Sequence, residues 1–348
     1  MTEFLIYKAI LVVMVFVVTL LVAMYSTYAE RKVAAFFQDR VGPNRAGPFG
    51  ILQPLADGVK FFMKEEIIPN VSNKFLFIAG PCIAMTTALM TGVVIPWGDT
   101  LIIGGQEYSM QIADLNIGIL YLFGVVSIGV YGIMIGGWAS NNKFSLLGAI
   151  RASAQMISYE IAMGLSIIAF VMMTGTLSLN EISAQQAGGV GSEWHLWNVL
   201  YQPLGFLIFI ICAFAECNRT PFDLPECETE LVGGYHTEYS SMKLGLYLFA
   251  EYINMFISSA IISTLYFGGY NFPFMNDLGL DHNMITILGM VAFFAKIFFF
   301  IFFFMWIRWT IPRFRYDQLM NLGWKGLLPL AIFNILITGL VIVLKGYL

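Results

Sequence analysis

Three carboxylic acids lie within or at the end of apolar runs of this 348-residue chain. Glu160 stands in "RASAQMISYE", Glu251 in "LYLFAEY", and Glu216 closes the run that ends in "CAFAE". A charge in a bilayer core costs at least about 2.5 kcal/mol, and such residues usually face a bundle interior or a water path. Carboxyls held at one depth resist ionisation through desolvation and mutual repulsion. The three acids therefore predict a line of protonatable groups that could relay protons.

Lys296 is a fourth charge of this kind, near the middle of the run "FFAKIFFF". We expect Lys296 to neutralise one of the relay acids. A static ion pair with one acid is the simplest alternative to a relay, but that pair leaves the other acids unexplained.

An acidic segment borders these runs at 216–243, "ECNRTPFDLPECETELVGGYHTEYSSMK". It holds six acids against two bases. Glu226 and Glu230 are one helical turn apart and Glu228 lies between them. If this stretch is helical, the three would extend the relay toward the adjoining surface.

The elements that position these acids are membrane-spanning helices. The chain is 58% hydrophobic and 11% charged, whereas soluble domains carry about 25% charged residues. We therefore predict an all-α polytopic membrane protein, one membrane domain over 1–348, with short amphipathic surface helices. Eight apolar segments are long enough to cross a core of about 30 Å, and they are 4–28, 75–97, 115–139, 153–175, 203–216, 244–267, 284–308 and 327–345.

The basic residues orient these spans. Fifteen of the 18 Lys and Arg residues follow or border the inner ends of spans 1, 3, 5 and 7; Lys8 and Lys345 lie opposite, and Lys296 lies inside a span. This positive-inside bias predicts that both termini face outward, in the periplasm of a bacterium. The chemically rich loops, 29–74 and 217–243, then lie on the inner side.

The first inner loop contains "GPNRAGPFG", which Pro and Gly keep from forming a regular helix. Polar residues then recur at helical spacing from Gln53 to Lys64, opposite an apolar face. This pattern predicts an amphipathic helix at the membrane surface. The helix could be a simple anchor, or it could wall an opening through which a lipid-soluble substrate enters. Arg31 could likewise be a headgroup anchor.

Other kinds of site are not indicated. The four cysteines form no CxxC pair and the three histidines are scattered, so we expect no metal site. No Walker A loop, dinucleotide fingerprint, removed signal peptide or clear internal repeat is present.

Four long motifs give the chain a family resemblance. The stretches "AERKVAAFFQDRVGPNRAGPFGILQPLADGVKFFMKEE", "RASAQMISYE", "ECNRTPFDLPECETELVGGYHTEYSSMKLGLYLFAEY" and "WTIPRFRYDQLMNLGWKGLLPL" resemble the quinone-site membrane subunit of respiratory complex I. This family of the proton-pumping NADH:quinone oxidoreductase includes the mitochondrial ND subunit one. The resemblance runs from the first span to the last.

The resemblance implies roles for particular residues. It implies that the quinone tunnel or its mouth is formed by Arg31, Arg40, Asp57, Arg219, Phe222 and Asp223. It implies a charged funnel below the tunnel, made of Glu216, Glu226, Glu228 and Glu230. It implies that the acidic path onward begins at Glu160 and Glu251. It implies docking of a peripheral arm on the inner face at Arg313, Arg315 and Asp317.

The resemblance also implies partners and a place in the cell. Quinone would be the substrate and lipids the surroundings, while iron–sulfur clusters and FMN would belong to partner subunits and this chain would hold no cofactor or independent active site. Partners would be the peripheral quinone-site and cluster-bearing subunits, together with small and antiporter-like membrane subunits, and not nucleic acid. The translocase would lie in a bacterial inner membrane rather than a mitochondrial one.

Three alternatives stay open at this point. The nearest is the membrane anchor of an energy-converting hydrogenase or a related oxidoreductase, which shares the spans and the buried acids. "GPNRAGPFG" and "NRTPFDLPE" favour the quinone enzyme. A free-standing transporter would be expected to show repeated halves, and a purely structural anchor would not need buried acids.

Overall fold

The structure, a computed structural model, is a helical bundle that describes residues 2–187, 197–224, 228–273, 275 and 279–347. Among these residues, seven helices are long and apolar enough to cross a membrane. They carry large apolar side chains on their outer faces, for example Val13, Leu120 and Leu336. Such faces suit a lipid environment, so the chain is a multi-pass membrane protein.

The long helices are α1 (Thr2–Phe37), α3 (Lys74–Thr91), α4 (Gly118–Ala139), α5 (Lys143–Thr174), α10 (Ser241–Tyr266), α11 (His282–Thr310) and α13 (Leu328–Tyr347). Shorter helices are α2 (Gln53–Met63), α6 (Leu179–Gln185), α7 (Asn198–Tyr201), α8 (Pro203–Glu216), α9 (Glu228–Leu231) and α12 (Tyr316–Asn321). A π-helical stretch, Leu322–Leu327, joins α12 to α13.

The fifth predicted span coincides with α8, which is apolar but has only 14 residues. At 1.5 Å per residue it is about 21 Å long, less than the roughly 30 Å of a bilayer core. The other seven predicted spans each coincide with one of the seven long helices. Helix α5 begins ten residues before the predicted span start at 153, where Asn142 caps it by accepting a hydrogen bond from the Phe144 amide at 2.9 Å.

The amphipathic surface helix is confirmed as α2. Its polar face carries Gln53, whose amide donates to Asp57 at 3.1 Å. Its apolar side chains remain exposed, with Phe62 at 72% and Met63 at 83%. Exposed apolar residues beside polar ones are what a helix lying on a membrane surface requires.

One element departs from the all-α prediction. An antiparallel hairpin, β1 (Thr100–Ile103) and β2 (Gln106–Ser109), lies in the predicted outer loop 98–114. Its Gly104 and Gly105 both have positive φ, at 61° and 83°, which a tight two-residue turn demands. The side chain of Asn283 bonds both the amide and the carbonyl of Ile102, so the hairpin is tied to the start of α11.

The core is built around α5 and α10. Tyr159, Tyr247 and Phe256 are among the largest side chains that are fully buried there. The inner loop folds back onto this core, where the backbone at Gly234 and Tyr235 lies directly against α5 at Gly148. A Cβ at position 148 would stand 2.7 Å from the Tyr235 nitrogen and 2.8 Å from the Gly234 Cα.

Gly148→Ala is therefore expected to destabilise the chain by about 1–3 kcal/mol, because backbone cannot move aside as a flexible side chain can. Thermal unfolding of the purified complex checks this, with a lower melting temperature expected. The matched control is Gly164→Ala in the same helix, where a Cβ would meet nothing within 4 Å. Equal melting temperatures for the two variants would contradict the close contact.

Candidate functional site

A cleft opens between the inner end of α1, the surface helix α2 and α10. Its volume is about 290 Å³. Its lining includes the charged residues Glu30, Arg31 and Asp57 and the apolar residues Phe249 and Trp309. Arg31 and Asp57 form an ion pair at 2.8 Å, with the arginine about half exposed. A slot lined by both charged and apolar groups fits a molecule that has a polar head and an apolar tail.

Glu30 is the most connected charge of this cleft, and sequence reasoning missed it. Its carboxylate accepts hydrogen bonds from Arg219 at 3.1 Å, Arg308 at 2.6 Å and the Tyr252 hydroxyl at 2.8 Å. The Arg219 guanidinium also lies 4.1 Å from the centre of the Tyr252 ring. Glu30 and Arg219 are both buried. One carboxylate thus holds together α1, α10, α11 and the segment that follows α8, and we call these four residues the Glu30 hub.

The other predicted tunnel residues divide into two groups. Arg219 stands behind the cleft wall as part of the hub. Asp223 is buried and pairs with Arg313 at 2.9 Å, and Phe222 packs edge-on against Tyr159. Neither Phe222 nor Asp223 lines the cleft.

Arg40 does not line the cleft either. Its side chain is exposed and bonds Gln38 at 2.7 Å. It lies in the loop that leaves α1.

Two of the predicted relay acids meet in a small cavity of about 50 Å³ between α3, α4, α8 and α10. Glu216 and Glu251 both line it, together with Asn218, Asn254 and Tyr235. The Tyr235 hydroxyl donates to Glu251 at 3.0 Å. Oε2 of Glu216 is buried without a hydrogen-bond partner among the described residues. A polar cavity of this size has room for a few water molecules.

Cys217 lines the same cavity. Burial raises the pKa of its thiol to about 12. The thiol therefore stays neutral near pH 7 and adds no charge beside the two carboxyls.

Glu160 lies outside this cavity but continues the line of carboxyls. It accepts a hydrogen bond from Ser127 of α4 and interacts electrostatically with Glu216. Its side chain is partly exposed between α4 and α5.

Of the three predicted acids of the loop after α8, Glu230 is the one whose side chain the structure describes. Glu230 is 47% exposed and pairs with Arg151 at 2.7 Å, so it lies at the surface of the bundle. Helix α9 begins at Glu228, whose side chain, like the whole of Glu226, falls outside the described residues. The relay role of these acids stays a prediction.

Arg315 and Asp317 pair with each other at 3.2 Å and both are exposed. With Arg313 they lie next to the start of α12. This is the surface on which a peripheral partner was predicted to dock.

The cleft and the cavity share two short pieces of chain. In α10, Glu251 faces the cavity and the adjacent Tyr252 faces the cleft. After α8, Glu216 lines the cavity and Arg219, three residues on, enters the hub. The residues of the cleft and of the cavity are thus close together in sequence at both places.

Lys296 is not part of this arrangement. Its three ammonium hydrogens go to the backbone carbonyls of Phe267, Gly269 and Asn271, at 2.7, 2.8 and 2.5 Å. The expected pairing of Lys296 with a relay acid is wrong. The carbonyls come from a distant loop, and since every residue has a carbonyl, no pattern of side chains in that loop predicts the contact.

Comparison with known proteins gives consistent results. The profile of a family described as NADH dehydrogenase matches residues 9–339. A protein of Cytophaga hutchinsonii, named as an H-type component of NADH-quinone oxidoreductase, is 72% identical over 342 residues, which cover 98% of each chain. The corresponding protein of Flavobacterium johnsoniae is 67% identical, over 98% of this chain and 96% of the relative. One from Geobacter metallireducens is 50% identical, over 95% and 94%. All three names describe a subunit of that enzyme.

The hub leads to a stability prediction for Glu30→Gln. Removing the carboxylate charge takes an anionic partner away from the buried Arg219 and from Arg308, and breaking a buried ion pair typically costs about 3–5 kcal/mol. The variant is expected to melt at a clearly lower temperature in the purified complex.

Glu107→Gln is the control, because Glu107 is an exposed acid of the β1–β2 hairpin, and removing such a surface charge usually changes stability by less than about 1 kcal/mol. If the Glu30→Gln enzyme melts at the same temperature as the control, the hub does not hold these ends of the helices together.

Proposed function

The chain belongs to the NADH dehydrogenase family and is a membrane subunit of an NADH-quinone oxidoreductase, and from that premise we propose that it forms the membrane part of a quinone tunnel and couples quinone reduction to proton translocation. The observation that carries the proposal is that residues of the cavity and of the cleft side are close in sequence at two places. Glu251 lines the cavity and the next residue, Tyr252, lines the cleft, while Glu216 lines the cavity and Arg219, three residues later, bonds Glu30 of the cleft. The enzyme's redox cofactors, iron–sulfur clusters and FMN, belong to partner subunits in this proposal.

The cleft suits the entry of quinone from the lipid. Its apolar residues Phe249 and Trp309 would contact an isoprenoid tail, while Arg31 and Asp57 would meet the headgroup as it passes. Helix α2, whose apolar face is exposed, places the opening at the membrane surface. The headgroup would then continue past the Glu30 hub toward the peripheral partner.

Reduction converts quinone to quinol with two electrons and two protons. The electrons would come from a cluster in the partner, and the protons must be drawn from groups near the headgroup. Negative charge that develops on the headgroup would be balanced by the arginines of the hub, Arg219 and Arg308, at the expense of their bond to Glu30. Two unit charges 4 Å apart interact by about 4 kcal/mol at an effective dielectric near 20, which corresponds to about 3 pKa units.

This change would alter the proton affinity of the cavity acids. Glu216 and Glu251 lie next in line, and Glu160, bonded to Ser127 at the side of the bundle, would pass the proton or the charge change to a neighbouring membrane protein of the complex. The buried Oε2 of Glu216, without a hydrogen-bond partner among the described atoms, supports a carboxyl that holds a proton. Phe222, Asp223 and Arg313 would support the tunnel wall from behind rather than line it.

The arrangement of the chain in the membrane follows from the same proposal. We infer one membrane domain in which α8 crosses as the eighth span, its short length completed by the polar segments at its two ends. Both termini would face the periplasm of a bacterium. The peripheral quinone-site subunit would dock on the inner face at Arg313, Arg315 and Asp317, and small and antiporter-like subunits would adjoin Glu160.

The comparisons bear on the alternatives. The relatives named above match this chain over nearly their full lengths, and each is named as part of an NADH-quinone oxidoreductase. These matches favour the quinone enzyme over a hydrogenase anchor. A free-standing transporter would work without partners, whereas these relatives are named as subunits.

Gly58→Trp tests the cleft. Gly58 lines it, and a Cβ there would meet nothing within 4 Å, so an indole can occupy the space where quinone would pass. We expect the KM for quinone to rise at least about tenfold, because substrate binding is obstructed. Steady-state kinetics of the assembled enzyme give the answer.

Gly58→Ala is the size control, and it should change neither KM nor kcat while favouring the helix slightly. Unchanged quinone kinetics in an assembled Gly58→Trp enzyme would place the quinone route elsewhere.

Glu160→Gln tests the acidic path. Glutamine keeps the size of the side chain but cannot carry a proton, so we expect protons pumped per quinone reduced to fall at least several-fold. Pumping is measured in vesicles alongside quinone reduction.

The control for this variant is Glu107→Gln, an exposed acid of the outer hairpin. Normal pumping and normal quinone reduction in Glu160→Gln would remove Glu160 from the mechanism.

A further inference from the structure

The loop after α10 turns back into the bundle instead of leaving it. Residues 268–271 are buried and non-helical, although they face the middle of α11. Non-helical backbone at such depth is tolerated only where its polar groups are satisfied within the protein. The contacts of this segment must therefore account for each of its carbonyls.

The carbonyls of Phe267, Gly269 and Asn271 point to one partner, and the carbonyl of Gly268 points to another. Gly268 and Gly269 both have positive φ, at 77° and 57°, and this turn brings the carbonyls of Phe267, Gly269 and Asn271 to one point. The intervening Gly268 carbonyl instead accepts from Ser183 at 2.9 Å.

The point where the three carbonyls meet is filled by the ammonium of Lys296. An ammonium has three hydrogens to donate, and three carbonyl oxygens lie within 2.8 Å of its nitrogen. The indole of Trp197 lies 5.5 Å from the same nitrogen, within the range of a cation–π contact. The charge is also next to the C-terminus of α10, where the helix dipole favours a cation.

We propose that Phe267, Gly269, Asn271 and Trp197 form a cation cage with Lys296 as its resident, and that Lys296 is a positioning residue that sets the register of α10 against α11. The second part rests on the proposed function, because the register matters through the α10 residues that line the quinone cleft.

The register is fixed at two points. At the outer point Lys296 of α11 holds the end of α10, and at the inner point the Glu30 hub joins Arg308 of α11 to Tyr252 of α10. Lys296 and Arg308 are separated by about 18 Å along α11, and Tyr252 and Phe267 by about 22 Å along α10. Antiparallel helices tied at two such matched points cannot slide past each other without breaking one tie.

The amides of the loop report on the cage without reference to catalysis. Gly269 donates to Ser263 at 2.8 Å and Asn271 donates to Gly268 at 2.9 Å, so both hydrogen bonds depend on the turn that the cage holds. Hydrogen exchange of peptides that cover 262–272 in the assembled enzyme measures their protection.

The first variant is Lys296→Met, which keeps the length of the side chain and removes its charge. We expect exchange in 262–272 to rise at least about tenfold, because three charge-assisted hydrogen bonds are lost. We also expect the fold-increase in the KM for quinone to exceed the fold-decrease in kcat, because the α10 residues that would be displaced line the cleft. Lys345→Ala, which removes the lysine in the last turn of α13, should change neither quantity.

The second variant is Lys296→Ala, which lacks the atoms of one n-propylammonium ion. Added propylammonium should return both exchange and KM toward their original values, whereas n-propanol of the same length should not. If Lys296→Met does not assemble, the yield of assembled Lys296→Ala enzyme from cells grown with propylammonium replaces these readouts, and recovery is expected.

Three outcomes overturn the inference. Unchanged exchange in Lys296→Met excludes the cage, and so does the absence of rescue by propylammonium in Lys296→Ala. Raised exchange with unchanged KM and kcat leaves the cage but excludes its positioning role. The last result says nothing against the quinone cleft itself, because Gly58→Trp tests the cleft independently.

Discussion

The structure depends on how one buried carboxylate is neutralised. Glu30 lies about two turns before the end of α1, and its negative charge is balanced by Arg219 and Arg308 from two other parts of the chain. Because an unpaired buried charge is costly, these elements cannot separate freely. The hub thus fixes the inner ends of α1, α10 and α11, which are the walls of the cleft.

The same constraint connects the cleft to the acidic cavity. Arg219 of the hub is three residues from Glu216, and Tyr252 of the hub is next to Glu251. The proposed coupling therefore needs no long pathway, because the groups proposed to meet the substrate and those proposed to hold protons are near each other in sequence. The Tyr235 hydroxyl adds a second connection, since it brings the inner loop to Glu251 at 3.0 Å.

Much of this architecture could be predicted from the sequence because lipid imposes simple patterns. Long apolar runs predicted the seven long helices, and polar residues that recur at helical spacing opposite an apolar face predicted α2. The acids at 216 and 251 were expected to converge because each is costly alone in an apolar run.

What could not be predicted depends on contacts between distant segments. Glu30 stands in "AERK" near a helix end, where charges usually meet headgroups, and nothing local shows that Arg308 returns to it. Lys296 binds carbonyls, which every residue has, and Glu230 pairs at the surface with Arg151, 79 residues away.

The central claim is that a redox change in the cleft alters the protonation of the cavity acids. Infrared difference spectra of the assembled enzyme, recorded on quinone reduction, measure this directly through the carboxyl C=O band. The account predicts a band that is lost in Glu216→Gln or Glu251→Gln and is absent when Gly58→Trp blocks the cleft. An identical band in all of these enzymes would contradict it.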